Sequence, residues 1–330
     1  MLKLRGNYAR AVRAPNIGEL YKPQSATFEF LTDPCDINEL NNGSATRAAN
    51  CARLLQAIGI DPTSFEPSTS TQASIAVQGT DGGNARLTVE TARTWTAGIV
   101  WQPHFLPSFS LTADWYSIRI KDAINTAEGT DIAKLCVDQP TTDNPFCPNI
   151  SRDPRTGFIN GFVVQPQNVA DFRTEGLDVT LHYSIPTARL GTFGLAVTAG
   201  HVNRLDFIAT PGAEVRSDLD QEFEPRNAAV VDLSWQRDAI SIRYGLNWFA
   251  RTKRYTDAEL RGDPDLAARQ YLYAKPSWEQ DINVNWDMNQ RVSVWVGVNN
   301  LFDQKPEFGY RSYPVSALGR FFYLGAKARF

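Results

Sequence analysis

The chain contains 330 residues and has a formal net charge of −3, so it lacks the basic excess that nucleic-acid-binding proteins carry. A nucleic-acid partner is therefore not expected. Its apolar runs are far shorter than the roughly 20 residues of a membrane-spanning helix, which excludes a helical membrane protein.

Apolar residues recur at every second position along most of the chain, and this is the period of a β-strand. The first such segment lies near Leu2 to Val12, and the last ends on the aromatic residue Phe330. Between them, apolar rows run from Trp95 to Trp101, Leu111 to Trp115, Leu177 to Ile185, Phe193 to Ala199, Ala229 to Trp235, Ile240 to Ala250, Trp278 to Met288 and Val292 to Val298. About ten strands are predicted.

The two faces of these strands favour a membrane barrel over a soluble β-sandwich. On the last strand, Phe322, Leu324 and Phe330 share the apolar face, whereas Lys327 and Arg329 lie on the other. The polar rows hold charged residues with many Asn, Gly, Ser and Thr, and Trp and Tyr stand near the ends of apolar rows. Lipid-facing bands of outer-membrane barrels are flanked by aromatic girdles of this kind.

The connections alternate between short and long. The short ones run from Pro103 to Ser108, Pro186 to Gly191, Gln236 to Ala239 and Met288 to Gln290. The long ones run from Ala14 to Glu90, Thr126 to Gln167, Ala209 to Phe223, Thr252 to Pro276 and Gln304 to Ala317. Outer-membrane barrels have short periplasmic turns and long extracellular loops. Loops of this length are uncommon inside a compact soluble domain, so they count against the sandwich. We predict an all-β, antiparallel transmembrane β-barrel.

One segment departs from the alternation. Between Phe109 and Asn125, the apolar row ends at Trp115, and a row in the opposite phase begins at Ile118. A bulge near Tyr116 is one explanation. The other is that the strand leaves the hydrocarbon band and continues as an extracellular extension.

All four cysteines lie in the two longest connections. Cys35 and Cys51 share the first, and Cys136 and Cys147 share the second. They lack the C-x2-C spacing of a zinc site, and the three histidines are distant in sequence, so neither a metal site nor a cofactor is expected. Pairing within each loop would fit an oxidising compartment. Free, inert thiols are the alternative.

Four motifs in chain order resemble the barrels of TonB-dependent outer-membrane receptors. The R-A-P-x-x-x-E-L-Y segment of that family is matched by Arg13, Ala14, Pro15, Glu19, Leu20 and Tyr21. The strand entry N-x-x-L-x-x-E-T is matched by Asn84, Leu87, Glu90 and Thr91, and a later strand start by Arg173, Thr174, Gly176 and Asp178. The N-L-F-D motif before the last strand is matched by Asn300, Leu301, Phe302 and Asp303. The paired-cysteine loops resemble those of a subgroup with large disulfide-bearing extracellular loops.

The resemblance implies a 22-stranded barrel that is plugged by a globular domain. Met1 leads directly into a predicted strand, and no stretch resembles a signal peptide. We therefore expect residues 1–330 to be the C-terminal portion of such a barrel, with about ten of its strands and without the plug domain. The family takes up scarce large solutes such as iron chelates, cobalamin or oligosaccharides, in an energy-coupled step at the outer membrane of Gram-negative bacteria. It implies no enzyme activity.

The resemblance also implies partners. In the full-length receptor these are its own plug domain and the TonB complex, and the barrel meets outer-membrane lipid and lipopolysaccharide. The last strand resembles the signal that the outer-membrane barrel assembly machinery reads, which assigns this role to Phe322, Leu324 and Phe330.

Candidate ligand contacts lie at two loop entrances. The first set is Arg251, Arg254 and Tyr255, and the second is Tyr310, Arg311 and Tyr313. Aromatic rings suit stacking on sugars and arginines suit an anionic chelate, so the mixture does not decide the ligand. Solvated or lipopolysaccharide-facing loop residues are the alternative interpretation.

A stand-alone ten-stranded outer-membrane barrel is the alternative for the whole chain. An omptin-like protease would need a His–Asp pair and carboxylates at the outer rim. His182 and Asp178 share a face, but their strand runs down toward a short turn, whereas His201 lies on an apolar row. A structural or adhesive barrel is a further alternative.

Overall fold

The fold is that of a computed structural model, which describes residues 1–63, 65, 76–208, 215–307 and 314–329. In chain order the strands are β1 (Leu2–Arg13), β2 (Ser25–Glu29), β3 (Val77–Asp81), β4 (Glu90–Trp101), β5 (Phe109–Thr126), β6 (Ile150–Arg152), β7 (Ile159–Val164), β8 (Pro166–Thr187), β9 (Gly191–Ile208), β10 (Arg216–Ser217), β11 (Asn227–Arg237), β12 (Ile240–Phe249), β13 (Thr252–Lys253), β14 (Tyr273–Ala274), β15 (Ser277–Asp287), β16 (Val292–Asn299) and β17 (Phe321–Ala328). The helices are α1 (Ile17–Tyr21), α2 (Arg47–Ala57), α3 (Gly129–Asp138) and α4 (Asp257–Gly262), with 3-10 helices at Cys147–Asn149 and Arg269–Tyr271.

Ten strands form one antiparallel sheet in the order β1-β4-β5-β8-β9-β11-β12-β15-β16-β17, and the short β10 pairs with β9. The predicted ten-stranded antiparallel sheet is thus confirmed. Each predicted apolar row follows one of these strands, although Ala250 and Met288 lie one residue beyond the ends of β12 and β15, and Phe330 lies outside the described residues. Within the described residues, β1 and β17 are the two edges and do not pair with each other. The short connections all lie at one end of the sheet, called here the turn end, and the long ones at the other, called the loop end.

The pairing register puts the apolar rows on one face, called here the outward face. Val296, for example, lies opposite Val284 on one side and Leu324 on the other. On the inner face, Gly297 lies opposite Asn283 and Tyr323. Leu324 is 76% exposed, because nothing in the described chain covers the outward face. An exposed apolar face of this extent needs a lipid or protein environment.

The phase change in β5 is not a bulge near Tyr116. The pairing of β5 with both β4 and β8 is regular through Tyr116, and the first irregularity in the ladder with β8 comes after Ile120. Ile120 faces inward and packs against a small buried cluster of Ala123, Ala170 and Phe207. The second row is apolar because it is buried there. The bulge interpretation is therefore wrong, and the strand continues past the outward apolar row.

The two longest connections pack together into what we call the disulfide lobe, built from β2, β3, β6, β7, α2 and α3. Its sheet has the order β2-β3-β7-β6, and the parallel pair of β3 with β7 joins the two connections. The main buried core of the described chain lies here and contains Leu31, Leu55, Ile132, Val137, Ile159 and Phe162. None of the helices in the described ranges is both long and apolar enough to cross a membrane.

Candidate functional site

Two of the sequence motifs meet at the loop end of β1 and β4. The Arg13 guanidinium donates hydrogen bonds to Glu90 at 2.6 and 2.7 Å and to Glu19 at 3.0 and 3.1 Å. Glu19 also closes a capping box with Asn16 at the start of α1. Oε1 of Glu90, which accepts one of the two bonds from Arg13, also accepts from the backbone N–H of Ile124 at 2.6 Å. Arg13 thereby fixes the positions of the ends of β1 and β4 and of α1 relative to one another.

Asn84 ties the far end of the same loop to this junction. Its backbone N–H donates to the carbonyl of Glu19 at 2.8 Å, and its side-chain amide donates to the carbonyl of Pro166 at 2.9 Å. Of the remaining motif residues, Ala14 is exposed, and Pro15 and Leu20 are half-buried between β1 and β2. The motif residues here hold the loop in place, and none of their described contacts leaves a polar group directed at a ligand.

The N-L-F-D motif forms a turn after β16. Asn300 is buried, has a φ of +51°, and exchanges two hydrogen bonds with the backbone of Gln304, at 2.8 and 2.7 Å. Leu301 is half-buried and Phe302 is exposed. Asp303 accepts from the backbone N–H of Arg320 at 2.9 Å and from the Lys305 ammonium at 3.0 Å. The N–H of Arg320 and then Lys305 lower the pKa of Asp303.

The motif that begins at Arg173 lies in β8. Gly176 passes so close to its two neighbouring strands that an added Cβ would meet the Tyr116 hydroxyl of β5 at 2.5 Å and the His201 carbonyl of β9 at 2.7 Å. Glycine is therefore required there by close packing. Asp178 lies on the inner face, opposite Asp114 and Gly200.

The disulfide lobe contains both cysteine pairs. Cys35 is bonded to Cys51 and Cys136 to Cys147, and three of the four residues are buried. A buried ion pair accompanies them: Arg152 donates to Asp33 at 2.6 and 2.8 Å, and the two side chains are 6% and 1% exposed. A buried pair of this kind needs both partners, because removing one leaves an uncompensated charge.

The first set of candidate ligand residues lies where β12 passes into its long loop. Arg251 lies over the ring of Tyr273, with the guanidinium carbon 4.3 Å from the ring centroid. Arg254 is mostly buried and contacts Glu307 at 3.5 Å. Tyr255 is half-buried. The second set, Tyr310, Arg311 and Tyr313, lies outside the described residues.

A cavity of about 340 Å³ lies beside this first set, between the loop ends of β12 and β15 and the turn after β16. Its polar lining is Glu222, Thr252, Lys275, Ser277, Gln304, Lys305 and Glu307. The Ser277 hydroxyl is buried and has no hydrogen-bond partner in the described chain. The side chains of the two lysines are exposed, and their ammonium groups form ion pairs with Glu307 at 3.9 Å and with Asp303 at 3.0 Å. The cavity therefore presents two cationic groups, two carboxylates and one unsatisfied hydroxyl to an incoming solute.

Sequence reasoning missed these cavity residues. Lys275 and Ser277 flank the start of β15, and Lys305 and Glu307 follow the N-L-F-D motif. The only hint in the sequence is that these residues lie near the two loop entrances that carry the candidate ligand residues. The sequence alone does not indicate that the two segments meet.

The assembly-signal residues of β17 lie on the outward face, where Phe322 and Leu324 are both well exposed. Phe330 lies outside the described residues. The residues proposed for a protease do not come together: His182 and Asp178 are on the inner face, whereas His201 is on the outward face and contacts Asn227 at 2.7 Å. Among the described residues, no group of three or more His, Cys, Asp or Glu side chains has the arrangement of a metal site.

Comparison with known proteins settles the family. A family model described as TonB dependent receptor-like, beta-barrel matches residues 1–301. The chain belongs to this family. It is a family of outer-membrane receptors and transporters, not of enzymes, and its full-length members include a plug domain that couples to TonB.

Solved TonB-dependent receptors share the fold of this receptor barrel. A mutant form of the ferric enterobactin receptor PfeA from Pseudomonas aeruginosa matches with a TM-score of 0.57 and 17% identity over the whole chain. The siderophore receptor PirA from Acinetobacter baumannii matches with a TM-score of 0.54 and 16% identity, again over the whole chain. The chain spans 38% and 39% of the lengths of these two proteins. Among curated proteins, no sequence matches it.

Proposed function

We propose that residues 1–330 form the C-terminal portion of a larger TonB-dependent receptor barrel. Support comes from the chain's length relative to the solved receptors and from the two strand edges, β1 and β17, that the described sheet leaves unpaired. Unpaired backbone groups are costly in lipid, so further strands between these edges would complete the barrel.

The outward face supports a location in the Gram-negative outer membrane. Its apolar rows meet lipid, the long loops are extracellular, and the short turns are periplasmic. In the complete receptor, a plug domain would occupy the inner face, where charged residues such as Arg5 and Asp114 pair across strands. The barrel assembly machinery would read the outward residues of β17.

We propose an iron chelate as the solute because of the charged side chains that line the cavity at the extracellular end. Ferric chelates with deprotonated oxygen donors are commonly anionic, and Lys275 and Lys305, whose side chains are exposed although each is near a carboxylate, would attract them. The carboxylate of Glu307 is engaged by Arg254 and by the backbone N–H of Lys275 at 2.6 Å. The two solved neighbours are a ferric enterobactin receptor and a siderophore receptor, which agrees with this choice.

A growth assay tests the proposal. The complete gene is expressed in a host without its own siderophore, cobalamin or oligosaccharide receptors, and growth is measured with each solute class as the limiting nutrient. Growth that depends on a ferric chelate and on TonB is expected. Growth only with cobalamin or an oligosaccharide would overturn the iron assignment but keep the receptor, whereas no TonB-dependent growth on any solute would overturn both.

A pair of variants tests the cavity itself. Lys275→Gln combined with Lys305→Gln should weaken binding of a ferric chelate by about tenfold, or about 1.4 kcal/mol, because two attractive charges are lost. Lys327→Gln, on the inner face at the turn end, is the matched control and should bind like the parent. Equal affinity of all three proteins would exclude the cavity as the binding site.

A further inference from the structure

The sheet of the disulfide lobe has the same strand order as the barrel sheet below it. β1 leads into β2, β3 leads into β4, and β7 leads into β8. The lobe order β2-β3-β7 therefore repeats the barrel order, in which β1 is followed by β4 and, after β5, by β8. The Gly83 N–H donates to the Lys22 carbonyl at 2.8 Å, and the Gly82 N–H donates to the Val164 carbonyl at 3.2 Å, which holds this arrangement at the junction. Among the described strands, β2 is the lobe edge on the same side as the open barrel edge β1.

This edge has an exposed apolar side. Phe28 of β2 is 63% exposed, and Phe30, just past the strand, is 66% exposed. They alternate with Glu29, whose carboxylate accepts from the Gly129 N–H at the start of α3, at 2.7 Å. The two rings therefore lie on the side of the sheet that faces away from α3. Phe28 lies opposite Gln78, which is exposed as well.

The apolar surface continues on α1, which lies between β1 and β2. Ile17 and Tyr21 are both exposed. We call Ile17, Tyr21, Phe28 and Phe30 the edge group. All four lie in the segment that leads from the open barrel edge to the lobe edge. Exposed apolar residues that are concentrated in one segment in this way are characteristic of an interaction site.

The two edges of the lobe sheet differ in their protection against pairing. Natural edge strands are blunted by short length, bulges, proline or charge. At the far edge, β6 has three residues, its register shifts between Ser151 and Arg152, and Pro154 follows it. β2 has five residues without proline or lysine, and its one charged side chain, Glu29, is turned toward α3. β2 therefore has the character of a strand that is paired on both sides.

The barrel topology identifies the segment that reaches β2. β1 runs from the turn end, where Leu2 lies opposite Trp101, to the loop end, where Arg13 lies opposite Glu90. In a complete barrel, the strand on the free side of β1 precedes it in the chain and runs in the opposite direction. By the alternation of short and long connections, that strand begins at a long extracellular loop. This loop leaves the barrel next to β1 and therefore below β2.

We propose that the free edge of β2 pairs with an extended segment of this preceding loop, and that the edge group packs against apolar side chains of that segment. The unpaired backbone groups of β2 form the new ladder, as in recognition by strand addition. Every second side chain of the added segment faces Phe28. The inference rests on the proposed function, because its partner belongs to the part of the receptor that precedes residue 1.

Photo-crosslinking in the complete receptor tests the pairing. p-Benzoylphenylalanine replaces Phe28 in receptor that is expressed in the outer membrane of intact cells, and linked peptides are identified by mass spectrometry. A link within one chain to a residue that precedes residue 1 is expected. The matched control has the same probe at Arg155, an exposed position between β6 and β7, and should not give this link.

The other outcomes are distinct. A link from position 28 to a second copy, to another protein or only to residues 1–330 overturns the inference and leaves the proposed function intact. A complete gene that encodes no strands before residue 1 overturns both.

Hydrogen exchange tests the backbone pairing separately. An edge strand leaves every second amide without a partner strand. In the complete receptor, we expect protection of all amides from Ala26 to Glu29. Rapid exchange at alternate positions of this segment would show that β2 is still an edge and would overturn the strand addition.

A double variant tests the side-chain packing. Phe28→Ser combined with Phe30→Ser should make protease cleavage within the preceding loop at least about tenfold faster, because the burial of two aromatic rings is lost. Leu190→Ser, at an exposed apolar position of the turn end, is the control and should leave the cleavage rate unchanged. Equal rates in the parent and the double variant would contradict the packing.

Discussion

Arg13 and Glu90 lie opposite each other at the loop ends of β1 and β4 and are joined by two hydrogen bonds, of 2.6 and 2.7 Å. They belong to two motifs separated by 77 positions in the chain. The Glu90 side chain is only 13% exposed, so its charge depends on this partner. The junction closes the base of the first long loop.

Replacing Arg13 by Gln should therefore loosen that loop. Hydrogen bonds to charged groups typically contribute about 1.5–3 kcal/mol, and we expect a loss near the lower end because Arg13 is partly exposed. Protease cleavage between residues 14 and 89 in outer membranes should become at least about tenfold faster. Arg155→Gln in the second long connection is the control, since Arg155 is 87% exposed. An equal cleavage rate in both variants would contradict a role for the Arg13–Glu90 pair in holding the loop.

The cysteine pairs give a second prediction. Digestion of the exported protein without reductant should yield peptides that link Cys35 to Cys51 and Cys136 to Cys147. Replacing Cys51 by Ala should lower the free energy of unfolding of the disulfide lobe by about 2–4 kcal/mol, because the cross-link restricts the unfolded loop. Quantitative alkylation of all four cysteines without reduction would refute the pairing.

A third prediction concerns pH. The pKa of Asp303 is lowered by the N–H of Arg320 and by Lys305, so its folded pKa lies below the ordinary carboxyl value of about 3.9. The charged form is the stabilising one. Its contribution is complete above about pH 4 and is lost as the pH falls through the folded value.

Hydrogen exchange measures this effect. After correction for the intrinsic rate, protection of the Arg320 amide should fall below about pH 4, while the Leu324 amide within β17 should stay protected. In Asp303→Asn the acid-dependent loss should disappear. Protection of Arg320 that is independent of pH in the parent would argue against a role for this carboxylate.

The terminal strand gives a fourth prediction. Leu324→Asp, or deletion of Phe330, in the complete receptor should cause periplasmic accumulation, because the outward row faces lipid and forms the proposed assembly signal. Lys327→Gln should be mild, since this side chain lies on the inner face. Normal outer-membrane levels of the first two variants with loss of the third would mean that the two faces are inverted.

The strands of the sheet were predictable from the sequence for a physical reason. Lipid requires every second side chain to be apolar over the whole span of a strand, so rows such as Ile240 to Ala250 and Trp278 to Met288 carry a strong signal. The same reasoning failed at β5. Ile118 and Ile120 both face inward, and Ile120 packs against a buried cluster. Both residues are apolar for this reason. Periodicity alone does not distinguish burial in protein from exposure to lipid.

Neither the disulfide lobe nor the cavity could be predicted from the sequence. The ion pair of Asp33 with Arg152 joins positions 119 residues apart in two different loops, and no local pattern indicates such a contact. The cavity likewise depends on Ser277 and Lys305 meeting from separate connections. The cysteines were the only local signal that these loops are structured.

The pairing of β1 with β17 distinguishes a stand-alone barrel, which must pair these two strands, from a larger receptor, which must keep them apart. Cysteines are placed one at a time along residues 2–12 and each is combined with Leu324→Cys, in outer membranes of cells that express the gene. Val296→Cys with Leu324→Cys is the positive control, since these positions lie opposite each other. We expect the control disulfide to form and none to form between β1 and β17. An efficient disulfide between β1 and β17 within one chain would contradict this expectation.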